Sequence, residues 1–244
     1  MKAMVLAAGL GTRLRPLTDS RPKALVEIDG RTLLEITLAR LRAFGVREVI
    51  VNVHHFADMM VAYLARQNFG MRIEISREEV LLDTGGGLKK AARFLLEDAR
   101  QSDESFLLHN VDVLSNIDLG SMVQFHKEQE AIATLAVQQR QSSRYLLFDQ
   151  REQLCGRRFE REQRTELSRP GDPLQALAFC GIHVISLRLL DMMTEDGVFS
   201  IIESYLRLAA RSERIVAYRA DEYCWRDLGT LESLQEAAQD LQRG

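Results

Sequence analysis

Residues 3–18 read Ala3-Met4-Val5-Leu6-Ala7-Ala8-Gly9-Leu10-Gly11-Thr12-Arg13-Leu14-Arg15-Pro16-Leu17-Thr18, and Arg21-Pro22-Lys23 follow closely. The apolar run over 3–8 ends at two glycines, as a buried parallel strand does where it opens into a loop. Gly9 and Gly11 let the backbone come close to a ligand and present consecutive N–H groups to an anion. Arg13, Arg15, Arg21 and Lys23 add positive charge in the same segment. At the carboxyl end of a parallel strand, that combination predicts a polyphosphate site. Two familiar alternatives fail on spacing. A Walker loop needs Gly-Lys-Ser/Thr, and the dinucleotide fingerprint needs a third glycine where this chain has Leu14.

Working outward, Thr32 and Glu35 form a capping-box pair, Leu34, Leu38 and Leu41 recur at helical spacing, and Gly45 supplies a stop. β-branched residues predict a strand over 48–53, followed by a helix over 57–66. A third strand is expected over 71–75, a helix opened by Gly85-Gly86-Gly87 and reaching about Ala99, and a fourth strand over 106–109 that ends in Asn110-Val111-Asp112. Strand and helix alternate, which implies a parallel sheet. Beyond about residue 131 the pattern becomes strand-rich, over 131–137, 145–148 and 178–185, so a mixed sheet is expected. Helices are expected over 200–210 and 231–241, with short extended pieces over 214–218 and at Trp225-Arg226-Asp227. The polar stretch 150–173 reads as a loop or hairpin excursion. The fold class is therefore α/β, Rossmann-like, with a mixed, mostly parallel central sheet. One continuous domain is expected over 1–244: a nucleotide-binding half (1–130), an acceptor-binding half (131–230) and a C-terminal helix (231–244).

Bulk composition narrows the function classes. Of 244 residues, 46% are hydrophobic and 27% charged, which suits a packed globular core rather than a disordered chain. A net charge of −3 with interspersed signs gives none of the clustered basic surface that nucleic acid requires. Cys155, Cys180 and Cys224 have neither disulfide nor zinc spacing. No apolar run approaches membrane-spanning length and no secretory signal is recognisable, so a cytoplasmic protein is expected.

Two acids stand out at strand ends: Asp112 after the fourth strand, and Asp227 in Trp225-Arg226-Asp227-Leu228-Gly229-Thr230. Magnesium is commonly held by one or two carboxylates plus phosphates and water, so this pair would suffice if it converged beside the loop. Either acid alone could equally form a turn or cap a helix. Leu82-Asp83-Thr84-Gly85-Gly86-Gly87 couples a glycine turn to a helix start, where backbone groups can approach a base or ribose. The adjacent His54 and His55 point apart and fit no metal-binding helix.

The stretch from Leu6 to Thr18 with Pro22-Lys23 resembles the signature of the sugar-1-phosphate nucleotidyltransferases. The segments Leu82–Gly87, Phe179-Cys180-Gly181-Ile182-His183-Val184 and Trp225–Thr230 are similar to the bacterial subgroup that includes N-acetylmuramate-1-phosphate uridylyltransferase and heptose-1-phosphate nucleotidyltransferases. The resemblance implies that Arg13 holds a triphosphate and Lys23 meets the α-phosphate. It implies a nucleotide site of Ala7, Ala8, Gly9, Gly11, Thr12, Arg13, Lys23, Asp83, Thr84, Gly85, Gly86 and Gly87, and Mg²⁺ on Asp112 and Asp227. Asn110 and Gly181 would face the sugar. Many relatives carry Glu-Lys-Pro before the Gly181 strand, with the lysine on the sugar phosphate. Here the region reads Glu166-Leu167-Ser168-Arg169-Pro170, so Arg169 is the expected substitute. Val111 stands where many relatives have a small residue.

The expected substrates are thus a nucleoside triphosphate and a sugar 1-phosphate, turned over by a monomer or homodimer with Arg13, Lys23 and Asp112 as catalytic residues. Two alternatives stay open from sequence: transfer to a phosphorylated alcohol such as phosphocholine, and a nucleotide-sugar sensor without turnover.

Overall fold

The computed structural model describes residues 1–97 and 104–243. Its first strand, β1 (Lys2–Leu6), pairs in parallel with β4 (Glu48–Val53) on one side and with β6 (Ser105–Asn110) on the other. Beyond β4 lies β5 (Arg72–Arg77), also parallel. Beyond β6 comes the long β12 (Gln175–Ser186), antiparallel, then β8 (Ala133–Gln138) and β13 (Ile215–Arg219). Along this row β5, β4, β1, β6, β8 and β13 share one direction and β12 runs against them, giving the mixed, mostly parallel sheet expected from sequence. Two small ribbons lie outside it: β2 (Glu27–Ile28) with β3 (Arg31–Thr32), and β7 (Val113–Ser115) with β14 (Trp225–Asp227).

The 150–173 stretch is more ordered than a loop. It holds β10 (Leu154–Phe159) and β11 (Arg164–Leu167), which extend β9 (Arg144–Phe148) into an antiparallel sheet on the first residues of β12.

Alternating side chains of β1 feed two cores, as period-2 geometry requires. Ala3 and Val5 join the face covered by α1 (Leu33–Phe44), α2 (Ala57–Arg66), α4 (Leu119–Glu128) and α7 (Leu231–Arg243). Met4 joins the face covered by α3 (Asp83–Leu96), α5 (Arg188–Met192) and α6 (Ile201–Ala210). Local signals fix the α1 ends: Thr32 and Glu35 bond reciprocally in a capping box, and Gly45 closes the helix in the left-handed conformation at φ 105°. α3 begins at Asp83, two residues before the glycines; its expected reach to Ala99 lies outside the described residues.

The chain leaves β1 for β4 on one side, then crosses to β6 on the other. The loops after β1 and β6 therefore diverge at the carboxyl edge of the sheet, which is where open α/β sheets bind ligands.

Candidate active site

At that edge two adjoining hollows share Leu6, Gly9 and Asp112. The smaller, about 170 Å³, is lined by Ala7, Gly11, Thr12, Arg13, Lys23, Val111 and Gly229 as well. The larger, about 460 Å³, adds Ala8, Asn52, Leu81, Asp83, Thr84, Asn110 and Val198. Larger hollows elsewhere on the surface are lined by no residue of the β1 loop and by neither Asp112 nor Asp227.

The β1 loop is folded around Gly11, whose φ of 65° suits glycine. Its carbonyl accepts the Leu14 N–H at 2.9 Å and the Thr18 hydroxyl at 2.9 Å, which closes the 3-10 turn Thr12–Leu14. A Cβ at Gly11 would lie 2.9 Å from the Thr18 methyl and 3.0 Å from the Lys23 Cβ. At Gly9 nothing lies within 4 Å of an added Cβ, so that backbone is open to the hollows.

Lys23 opens the 3-10 turn Lys23–Leu25 and is 8% exposed, with its ammonium paired to the Asp112 carboxylate. Asp227 arrives through the β7–β14 ribbon: it stands opposite Val113, and the Leu228 N–H donates to the Asp112 carbonyl at 2.8 Å. The ribbon's far end is closed by Cys224 N–H to Asn116 Oδ1 at 2.7 Å. The backbones of two acids far apart in the chain are thereby held next to each other. Arg13 Nη2 lies 3.7 Å from Asp227 Oδ2, while the other oxygen, Oδ1, is buried without a hydrogen-bond partner. Gly229 makes room for both groups, since a Cβ there would lie 2.3 Å from Asp227 Oδ1 and 2.4 Å from Arg13 Nη2.

A buried polar chain that sequence reading missed holds the larger hollow in shape. Asn52 Oδ1 accepts the Ala7 N–H at 2.7 Å, Asn52 Nδ2 donates to Glu78 Oε1 at 2.7 Å, and Glu78 Oε2 accepts the Leu82 N–H at 3.0 Å. Asn52 and Glu78 are each 2% exposed. One chain of bonds thus joins the loops after β1 and β5 through the end of β4. Its sequence signal is a lone amide inside the β-branched run Val49-Ile50-Val51-Asn52-Val53.

The three glycines are closely packed on their neighbours. The amides of Gly85 and Gly86 already donate to the Phe199 carbonyl, at 2.9 and 3.3 Å. Added Cβ atoms would meet the Phe199 ring at 2.3 Å, the Gly197 carbonyl at 2.3 Å and Glu78 Oε1 at 2.8 Å. Of the 83–87 segment, Asp83 and Thr84 line the hollow.

On the acceptor side, Asn110 lines the larger hollow and packs on Gly181, whose φ is 71° and where a Cβ would be 2.7 Å from Asn110 Nδ2. Arg169 does not join them. Its guanidinium is paired with Asp149 and donates to Gln153 Oε1 at 2.8 Å and to Cys155 Sγ at 3.4 Å, so its fork is spent inside the β9–β11 sheet.

Behind the site, burial pulls His109 down to about 4 and His183 to about 3, so both imidazoles are neutral near pH 7. His109 is bonded to Asn110 O at 2.7 Å and His183 to the Tyr205 hydroxyl at 2.8 Å. Their roles are structural.

A sequence model of the nucleotidyl transferase family matches residues 2–244. The chain belongs to that family. It is 36% identical to N-acetylmuramate alpha-1-phosphate uridylyltransferase of Caulobacter vibrioides over 93% of this chain and 91% of that protein. It is 30% identical to a mannose-1-phosphate guanylyltransferase of Mycobacterium tuberculosis over 99% of this chain, which spans 65% of that longer enzyme. Among solved structures, HddC from Yersinia pseudotuberculosis complexed with GMP-PN superposes with a TM-score of 0.75 at 20% identity, covering 98% of this chain and 99% of that one. At that identity the likeness speaks for the nucleotidyl transferase fold alone. Among the described residues no helix is long and apolar enough to cross a membrane.

Proposed function

We propose that this nucleotidyl transferase condenses a nucleoside triphosphate with a sugar 1-phosphate, giving a nucleotide-sugar and pyrophosphate. The observation that carries the reading is the meeting of Arg13, Lys23, Asp112 and Asp227 around the open glycine loop at the carboxyl edge of the sheet. A phosphate oxygen of the acceptor attacks the α-phosphorus in line. The new P–O bond forms as the bond to the β-phosphate bridging oxygen breaks, and pyrophosphate carries the electron pair away. The attacking phosphate is already anionic, so no side chain has to serve as nucleophile or base. The protein's part is positioning and charge neutralisation. The Gly9–Thr12 backbone and Arg13 hold the triphosphate, Lys23 meets charge developing at the α-phosphate, and Asn110 with Gly181 orients the acceptor.

The donor set suits Mg²⁺. Asp227 Oδ1 is buried without a partner, and Asp112 immediately precedes the neighbouring strand of the same ribbon. Among the described residues no group of three or more His, Cys, Asp or Glu side chains gathers into a cation site, so these two carboxylates would share the ion with phosphate oxygens and water. When bound, the ion neutralises phosphate oxygens and helps align them.

The test is a matrix of nucleoside triphosphates against sugar 1-phosphates with pyrophosphate release as readout. UTP with N-acetylmuramate 1-phosphate heads it, because the Caulobacter relative of matching length carries that name. Release with at least one pair, abolished by removing magnesium, is expected. Nucleotide binding by the folded protein without release from any pair would instead leave a sensor, and release confined to phosphocholine would replace the sugar acceptor.

A further inference from the structure

We infer that Arg140, and not Arg169, receives the phosphate of the acceptor; this rests on the reaction proposed above. β8 runs in the same direction as β1 and β6, so the loop after it emerges at the site edge of the sheet. That loop is pinned: Gln138 Nε2 donates to the carbonyls of Ala220 and Tyr223 at 2.7 and 2.8 Å, and the Gln139 N–H donates to Asp221 Oδ1 at 2.6 Å. Arg140 is carried on it with its guanidinium 3.7 Å from the centre of the Trp225 ring. Trp225 stands two residues before Asp227 and donates through Nε1 to the Cys180 carbonyl at 2.7 Å, next to Gly181. The stacked pair therefore lies beside Gly181, on which Asn110 of the larger hollow packs.

The cation there has no ion-pair partner among the described residues, and the Asp227 carboxylate acts on it only from beyond 4.0 Å. Arg13, Arg157 and Arg169 each have a carboxylate partner, but no carboxylate lies within 4.0 Å of Arg140 among the described residues. Its Nη2 donates to the Phe179 carbonyl at 2.9 Å and its Nε is buried without a hydrogen-bond partner. The neighbouring Cys180 thiol is pushed up to about 12 by burial, so it stays neutral and supplies no charge. A half-buried guanidinium held flat on an aromatic face, with a donor unused, suits a phosphate. Arg169 cannot take that role without breaking its pair with Asp149.

Trp225 is the chain's single tryptophan, so its emission reports on Arg140 directly. The full-length protein is titrated with glucose 1-phosphate as a probe, in wild type, Arg140→Gln, Arg140→Lys and Arg169→Gln, with circular dichroism confirming that each is folded. A saturable emission change is expected in wild type and Arg169→Gln, lost in Arg140→Gln and partly kept in Arg140→Lys. In turnover, Arg140→Gln should raise KM for the sugar 1-phosphate about ten- to hundredfold, the cost of one charge-assisted hydrogen bond. KM for the nucleotide should stay within about twofold. Turnover that is indifferent to Arg140→Gln, or a loss that follows Arg169→Gln, overturns the assignment and leaves the reaction standing. An Arg140-dependent emission change without turnover for any pair overturns the reaction and leaves the anion site; neither signal in wild type overturns both.

Discussion

Asn52→Asp changes one atom in the buried chain that shapes the larger hollow, and its effect should depend on pH. The new carboxylate can still accept the Ala7 N–H, but it faces Glu78 Oε1 where a donor stood at 2.7 Å. Two carboxylates in that contact, with charge centres about 4 Å apart and at 2% exposure, repel by about 4 kcal/mol at an effective dielectric of 20. They therefore retain a proton to higher pH in the folded chain than in the unfolded one, and titrate as a pair. The sign follows. A raised folded-state pKa leaves stability intact below the unfolded value, near pH 4, and removes it as pH rises, by about 1.4 kcal/mol per unit until about pH 7. Between pH 5 and pH 8 the variant should thus lose about 2.6 kcal/mol relative to wild type. At about 2–4 °C per kcal/mol for a chain of this size, that adds about 5–10 °C to its Tm deficit. Differential scanning calorimetry of both proteins at the two pH values measures it, and the subtraction cancels any slope they share. An equal Tm deficit at pH 5 and pH 8 would refute the picture of a dry amide–carboxylate link beneath the loop.

Lys23→Ala should lower pyrophosphate release about 10²–10³-fold by removing a cation aimed at developing phosphate charge; near wild-type kcat would disprove its assignment. Gly85→Ala forces a Cβ to 2.3 Å from the Phe199 ring and should cost about 1–3 kcal/mol in a thermal melt. Gly9→Ala, with open space at its Cβ, should leave the melt unchanged while raising KM for the nucleotide; the reverse ranking would mean that the two glycines have been assigned each other's roles. His109, His126 and His183 are held by burial at about 4, about 4 and about 3, so acid favours the unfolded chain, which protonates near pH 6.5. Wild-type stability should therefore fall between pH 7 and pH 5, by up to about 2 kcal/mol for each histidine, and a flat Tm over that window would contradict their burial.

Much of the first half of the fold was legible because its signals are local. The apolar run into Gly9 and Gly11 marks a strand and its loop, and Thr32, Glu35 and Gly45 mark both ends of α1 through bonds that span a few residues. The acceptor side depends on contacts between residues far apart in the chain. Nothing near Arg169 in sequence announces that Asp149 claims it, and nothing near Arg140 announces Trp225. The triple glycine shows the other limit: composition marks where backbone or neighbour comes close, yet Phe199 and Gly197 as the close neighbours appear only once α3 is packed. Likewise the extended piece Trp225-Arg226-Asp227 is legible, but its partner β7, three residues long, is too short for periodicity and appears only as the pairing forms.

That ribbon also orders events in time. Asp112 leaves the ribosome more than a hundred residues ahead of Asp227, so a nascent chain can complete β1, β4, β5 and β6 while half of its acid pair is still unmade. Only when residues 225–227 zip onto 113–115 does the second carboxylate arrive. On the proposed reaction, competence for chemistry is thereby made a late certificate of folding, and a chain stalled short of that last pairing would hold its β1 loop but half of its acid pair.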